Sequence, residues 1–100
     1  MVTVSIRIEE FIWLPGIIEK ILSKHHVTPE AAEQIFYNRP HYRLLEKGRI
    51  HGEDMYTALG QTDAGRYLII FFIIKPSNKA LIISARDMDR SERKYYGRKT

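Results

Sequence analysis

The eight residues YLIIFFII at positions 67–74 constrain this chain more than any other stretch. In an extended strand, successive side chains point to opposite faces. Leu68, Ile70, Phe72 and Ile74 therefore share one face, and Tyr67, Ile69, Phe71 and Ile73 share the other. A strand that is apolar on both faces belongs inside a sheet that is covered on both sides. The run is far shorter than the roughly 20 residues needed to span a bilayer. Neighbouring strands and packed helices must supply its surroundings.

Those neighbours are readable. Val2, Val4, Ile6 and Ile8 alternate with polar residues, the period of a half-buried strand. Ile17, Ile18, Ile21 and Leu22 form the apolar stripe of a short helix that begins after Pro15-Gly16 and ends near residues 24–26. Thr28-Pro29-Glu30 opens a second helix with a hydroxyl N-cap, proline at the first helical position and an acid in the first turn. That helix ends around Asn38 and Pro40. HYRLLE, DMYTALGQ, RYLIIFFII and ALIISAR read as strands separated by the turn-prone GRIHG, TDAG and KPSN. Asp89-Arg90-Ser91-Glu92 has capping-box spacing and opens a last helix through Tyr96. The expected order is β-α-α-β-β-β-β-α: an α+β domain with a mainly antiparallel sheet, two N-terminal helices and one C-terminal helix, filling residues 1–100 as a single domain. The N-terminal helices are expected to cover one face of the central strand. The other face is left to the last helix or to a docking partner.

Charge narrows the function. The net charge is +4, but residues 1–38 carry −2 while 39–49 and the segment from Arg86 each carry +3. That asymmetry points to a basic face and a polyanionic partner. Without cysteine there is neither a disulfide framework nor a thiolate metal site. His25, His26, His41 and His51 lack helical ligand spacing, so no metal site or other cofactor is expected. No phosphate-cradling glycine loop is present. MVTVSIRIEE lacks a signal-peptide pattern, which leads to the expectation of a soluble, cytoplasmic chain with no membrane contact.

Three motifs, K-H-x-V-[ST], A-L-G-x-T-x-x-G-R and I-S-A-R-x-x-x-R-x-E-R-x-x-Y, occur in that order between Trp13 and Tyr96. Together they resemble the BrnT family of bacterial type II toxins. Two departures stand out: Trp13 precedes Leu14-Pro15 rather than aspartate, and His26 stands where glycine is common. The resemblance implies a RelE-like fold and a metal-independent endoribonuclease. It also implies a ribbon-helix-helix antitoxin (BrnA-like), contact with DNA only through that antitoxin, and a toxin–antitoxin heterotetramer.

Such an enzyme uses the RNA's own 2′-hydroxyl as nucleophile. It must supply a base, cationic donors for the phosphorane and an acid for the leaving oxygen. His25 is the candidate base or acid, with a helix C-terminal cation as the plainer alternative. Glu30 either orients His25 or itself acts as base, with a plain first-turn capping role as the alternative. Arg66 and Arg86 begin and end adjacent strands, so the hairpin at KPSN brings them to one end, where two guanidiniums can hold a phosphate. The alternative is edge charge against aggregation. Arg90 and Arg93 share a helix face, and Arg90 is expected to fold back toward Arg86. Lys24, Arg43, Arg93 and Tyr96 complete the candidate RNA contacts, although a tyrosine there can equally close the core. The rival function is a non-catalytic RNA- or protein-binding module on the same fold.

Overall fold

The structure, a computed structural model, describes residues 6–46, 48 and 53–99. The elements are β1 (Glu10–Ile12), α1 (Pro15–His25), α2 (Pro29–Tyr37), β2 (His41–Glu46), β3 (Met55–Gln61), β4 (Tyr67–Lys75), β5 (Lys79–Asp87) and α3 (Arg90–Lys99). They form an α+β domain whose five strands run β1-β5-β4-β3-β2. Among the described residues, only the β1–β5 pair is parallel. The doubly apolar strand, β4, is central.

The first strand differs from expectation. Residues 1–5 of the alternating stretch lie outside the described residues, and residues 6–9 are not in the sheet. The strand starts at Glu10, where its partners across the sheet are Lys79, Ala80 and Leu81. Parallel pairing with a strand some 70 residues later in the chain sets that position, and local alternation does not report it. The GRIHG turn falls largely outside the described residues, but Gly48 N–H donates to Asp54 Oδ1 at 2.9 Å.

The two faces are covered unequally. Ile21, Val27, Ala32 and Ile35 from the α1–α2 side bury against Ala58, Leu68, Ile70, Phe72, Ala80, Ile82 and Ala85. Gly60 lets α2 come close, since a Cβ there would lie 3.1 Å from Ile35 Cγ2. On the opposite face α3 covers one end only, where Tyr96 and Met88 pack on Leu59 and Ile69, flanked by Tyr67, Phe71 and Tyr95. Ile73 and Leu81, further along that face, stay half-buried.

The local signals act as read. Thr28 Oγ1 accepts from Ala31 N–H at 3.1 Å. Asp89 and Glu92 form a reciprocal capping box, with Glu92 N–H donating to Asp89 Oδ1 and Asp89 N–H donating to Glu92 Oε1. Pro76, Ser77 and Asn78 turn the β4–β5 hairpin, the last two at φ 67° and 58°. A bulge follows: Phe72 pairs with Ile82 but Phe71 with Ser84, leaving Ile83 unmatched.

Candidate active site

The register of β2 to β5 assembles two cross-strand rows on the α3 side. One row is His41–Leu59–Ile69–Arg86, and the next is Arg43–Thr57–Phe71–Ser84. Basic side chains thus stand at the ends of an apolar and hydroxyl-bearing floor. Helix α3 borders it. The Arg43 guanidinium lies 4.5 Å from the Tyr95 ring centre, and Lys99 Nζ lies 5.6 Å from the same ring. His41 Nε2 is 2.8 Å from the Tyr95 hydroxyl.

Arg86 reaches from β5 across the floor, 5.3 Å from the Phe71 ring centre. Its Nη1 and Nη2 donate to the two carboxylate oxygens of Glu92 at 2.8 and 2.9 Å, and Nη1 also donates to Asp87 O. The hydrogen bond from Arg86 holds the Glu92 carboxyl below the usual carboxylate range, against the opposing effect of burial. Arg43 adds a smaller push in the same direction. A bidentate carboxylate has much the same shape and charge as a phosphate edge. Glu92 therefore fills the donor fork of Arg86.

Arg66 lies elsewhere. Its Nε and Nη2 donate to Asp87 at 2.7 and 2.9 Å, while Nη1 and Nη2 donate to the carbonyls of His26 and His25 at 2.7 and 2.8 Å. A guanidinium on the last carbonyls of α1 caps that helix and complements its dipole. The expected two-arginine phosphate clamp is thus not formed: Arg66 turns toward α1 and Arg86 toward α3. The bulge at Ile83 shifts the register so that Arg86 pairs with Ile69, three residues inside Arg66.

The remaining candidates divide between the two sides. Half-buried His25 stands at the C-terminus of α1 beside exposed Lys24, and exposed Glu30 lies in the first turn of α2. Of these, His25 accompanies Arg66, which bonds its carbonyl. Arg90 is not among the partners of Arg86, which are Glu92 and the Asp87 carbonyl. Instead it lines a shallow depression of about 510 Å³ with Met88, Arg93 and Lys94. Arg93 also stacks 4.0 Å from the Tyr67 ring centre. Tyr96 is 7% exposed in the core, so no face of its ring is free for a base. Its neighbour Tyr95 is the tyrosine on the open side.

His41 and Tyr95 were not singled out by sequence reasoning. The available signal was the H-x-R spacing of His41 and Arg43, which puts both on one strand face. Tyr95 lies 54 positions from His41, and only the fold joins them. Burial, then Lys99 and Arg43, lower the His41 imidazole below its ordinary value. Among the described residues, no three His, Asp or Glu side chains group closely enough to hold a metal ion. No described helix is long and apolar enough to cross a membrane.

The motifs acquire physical meaning from this geometry. In the first, Val27 is fully buried and Thr28 caps α2. In the second, Gly60 admits Ile35, the buried Thr62 accepts from Arg66 N–H at 3.0 Å, Gly65 takes φ 91°, and Arg66 caps α1. In the third, Arg86 and Glu92 pair while Tyr96 closes the core. Residues 13–92 match the family model described as the ribonuclease toxin BrnT of type II toxin–antitoxin systems. No curated protein matches the chain.

Proposed function

The chain belongs to the BrnT family of ribonuclease toxins of type II toxin–antitoxin systems, and from that premise we propose that it cleaves RNA internally, without a metal ion, on the α3 side of its sheet. The observation that carries this reading is the double row of Arg43, Arg86, Phe71 and His41 bordered by Tyr95. Aromatic faces take a base by stacking, and flanking guanidiniums take the phosphate beside it. The 2′-hydroxyl oxygen attacks phosphorus, the bond to the 5′-oxygen breaks, and Arg86 with Arg43 stabilises the charge that builds on the phosphorane. A substrate phosphate must displace Glu92 from the Arg86 fork. Arg90, Arg93 and Lys94 lie further along α3, where they suit the backbone of flanking nucleotides.

The fold is RelE-like in this reading. The partner is a ribbon-helix-helix antitoxin, forming a heterotetramer that meets DNA only through the antitoxin. Membership in a type II toxin–antitoxin family supports an antitoxin as the partner.

A second reading centres on the other side of the sheet. His25 stands beside the Arg66–Asp87 pair and helps to lower the Asp87 carboxyl, after the larger effect of Arg66 itself. Here His25 is the base, Arg66 the phosphate donor, and Lys24 and Glu30 are auxiliaries. Substitution separates the two readings. Losing one transition-state donor costs on the order of 3 kcal/mol, about a hundredfold in rate. Arg86→Ala is expected to show that loss, with Arg98→Ala on the exposed end of α3 as the unchanged control. If His25→Ala and Arg66→Ala, assayed below their melting midpoints, abolish cleavage while Arg86→Ala does not, the second reading replaces the first. Binding of RNA without cleavage in any condition makes the chain a binding module.

A further inference from the structure

Resting on the α3-side reading above, we propose that His41 is the general base of the cleavage and that Tyr95 is the residue that positions it. The pair is linked at 2.8 Å between Nε2 and the hydroxyl, with the rings in edge contact at 5.2 Å. A general base needs a third group that fixes its tautomer and orientation. With Nε2–H donating to the Tyr95 oxygen, the Nδ1 lone pair of His41 is left free to accept a proton. The Tyr95 ring also has Arg43 at 4.5 Å and Lys99 at 5.6 Å from its centre, contacts that restrain the orienting group.

The step balances as follows. Nδ1 takes the 2′-hydroxyl proton as the O2′–P bond forms. The P–O5′ bond breaks, and the 5′-oxygen takes a proton from water. The imidazolium then returns its proton to solvent, leaving a 2′,3′-cyclic phosphate and a 5′-hydroxyl.

The surroundings favour a base over an acid. Tyr95 and Lys99 face His41 from α3, Arg43 lies two residues along β2, and the β3 residue paired with His41 is the apolar Leu59. With two cations and burial opposing protonation, the neutral imidazole persists below its ordinary value of 6.5. The acid limb of the rate profile therefore falls below that value.

The test measures cleavage of an RNA oligonucleotide against pH, and binding of the same oligonucleotide methylated at its 2′-oxygens. His41→Gln retains an amide able to meet Tyr95 but cannot act as a base. It is expected to lose about a hundredfold in rate and the acid limb, with binding unchanged within twofold. Tyr95→Phe keeps the ring and its cation contacts. It is expected to slow cleavage about tenfold and to move the acid limb, which a purely structural role would leave in place. A His41→Gln protein that cleaves within threefold of wild type, or keeps the acid limb, overturns the proposal. If that happens while Arg86→Ala is inactive, the α3-side reading stands and only the base is wrong. If wild type itself fails to cleave, both fall together.

Discussion

Arg86 shows how much a single residue's role depends on its partner. Its position at the end of an apolar strand was legible, and so was its proximity to α3. Its bidentate bond to Glu92 was not, because Glu92 already had a local explanation as the N3 carboxylate of a capping box. The same carboxylate does both. Arg86→Ala should therefore lower the thermal midpoint as well as the rate, although partial exposure of the pair keeps the stability effect modest. Acid titration gives a further check. The Glu92 and Asp87 carboxyls are both held below their ordinary values of 4.5 and 3.8 by their arginines. Their folded-state pKa values are depressed, so their contribution is complete above those ordinary values and is lost as pH falls through the lower folded ones. Denaturant midpoints measured from pH 6 downward should be flat to about pH 5 and then decline. In Arg66→Ala and Arg86→Ala the decline should be shallower; an unaltered slope would deny the two pairs any part in acid stability.

At the scale of elements, signals satisfied within a few residues were readable and those settled across the sheet were not. Thr28-Pro29, Asp89 to Glu92 and Pro76-Ser77-Asn78 each complete their own hydrogen bonds or dihedral requirements locally. The N-terminal strand failed that test: its alternating stretch ends where pairing with β5 begins. The split of Arg66 from Arg86 was hidden by the bulge at Ile83 and by carbonyl acceptors contributed by α1. His26 lies between these cases. It adopts φ 53°, ψ 39° at the C-cap of α1, a left-handed position that favours glycine. A left-handed conformation costs a non-glycine residue roughly 1–2 kcal/mol, partly offset by the larger unfolded-state entropy of glycine. His26→Gly should accordingly stabilise the fold by about 1 kcal/mol, a rise of roughly 4–8 °C in midpoint for a domain of this size. A lower midpoint would mean that the imidazole makes a contact worth more than the backbone strain.

For the whole molecule, the unequal cover of the sheet matters most. α1 and α2 seal one face, while α3 covers one end of the other and leaves a floor edged by Arg43 and Arg86. Binding there should be strongly salt-dependent, with each neutralised phosphate of single-stranded RNA contributing a slope of about −0.7 in log affinity against log salt. Arg93→Ala should reduce that slope by roughly one such unit; a slope unchanged by the substitution would remove the α3 depression from the RNA path. Metal-free cleavage on this face is tested most directly by incubating the purified protein, freed of antitoxin, with RNA in excess chelator, with and without ribosomes, alongside Arg86→Ala. Cleavage in chelator, leaving cyclic phosphate ends and falling about a hundredfold in the variant, is the predicted result. RNA left intact in chelator but cut once magnesium is added would contradict it.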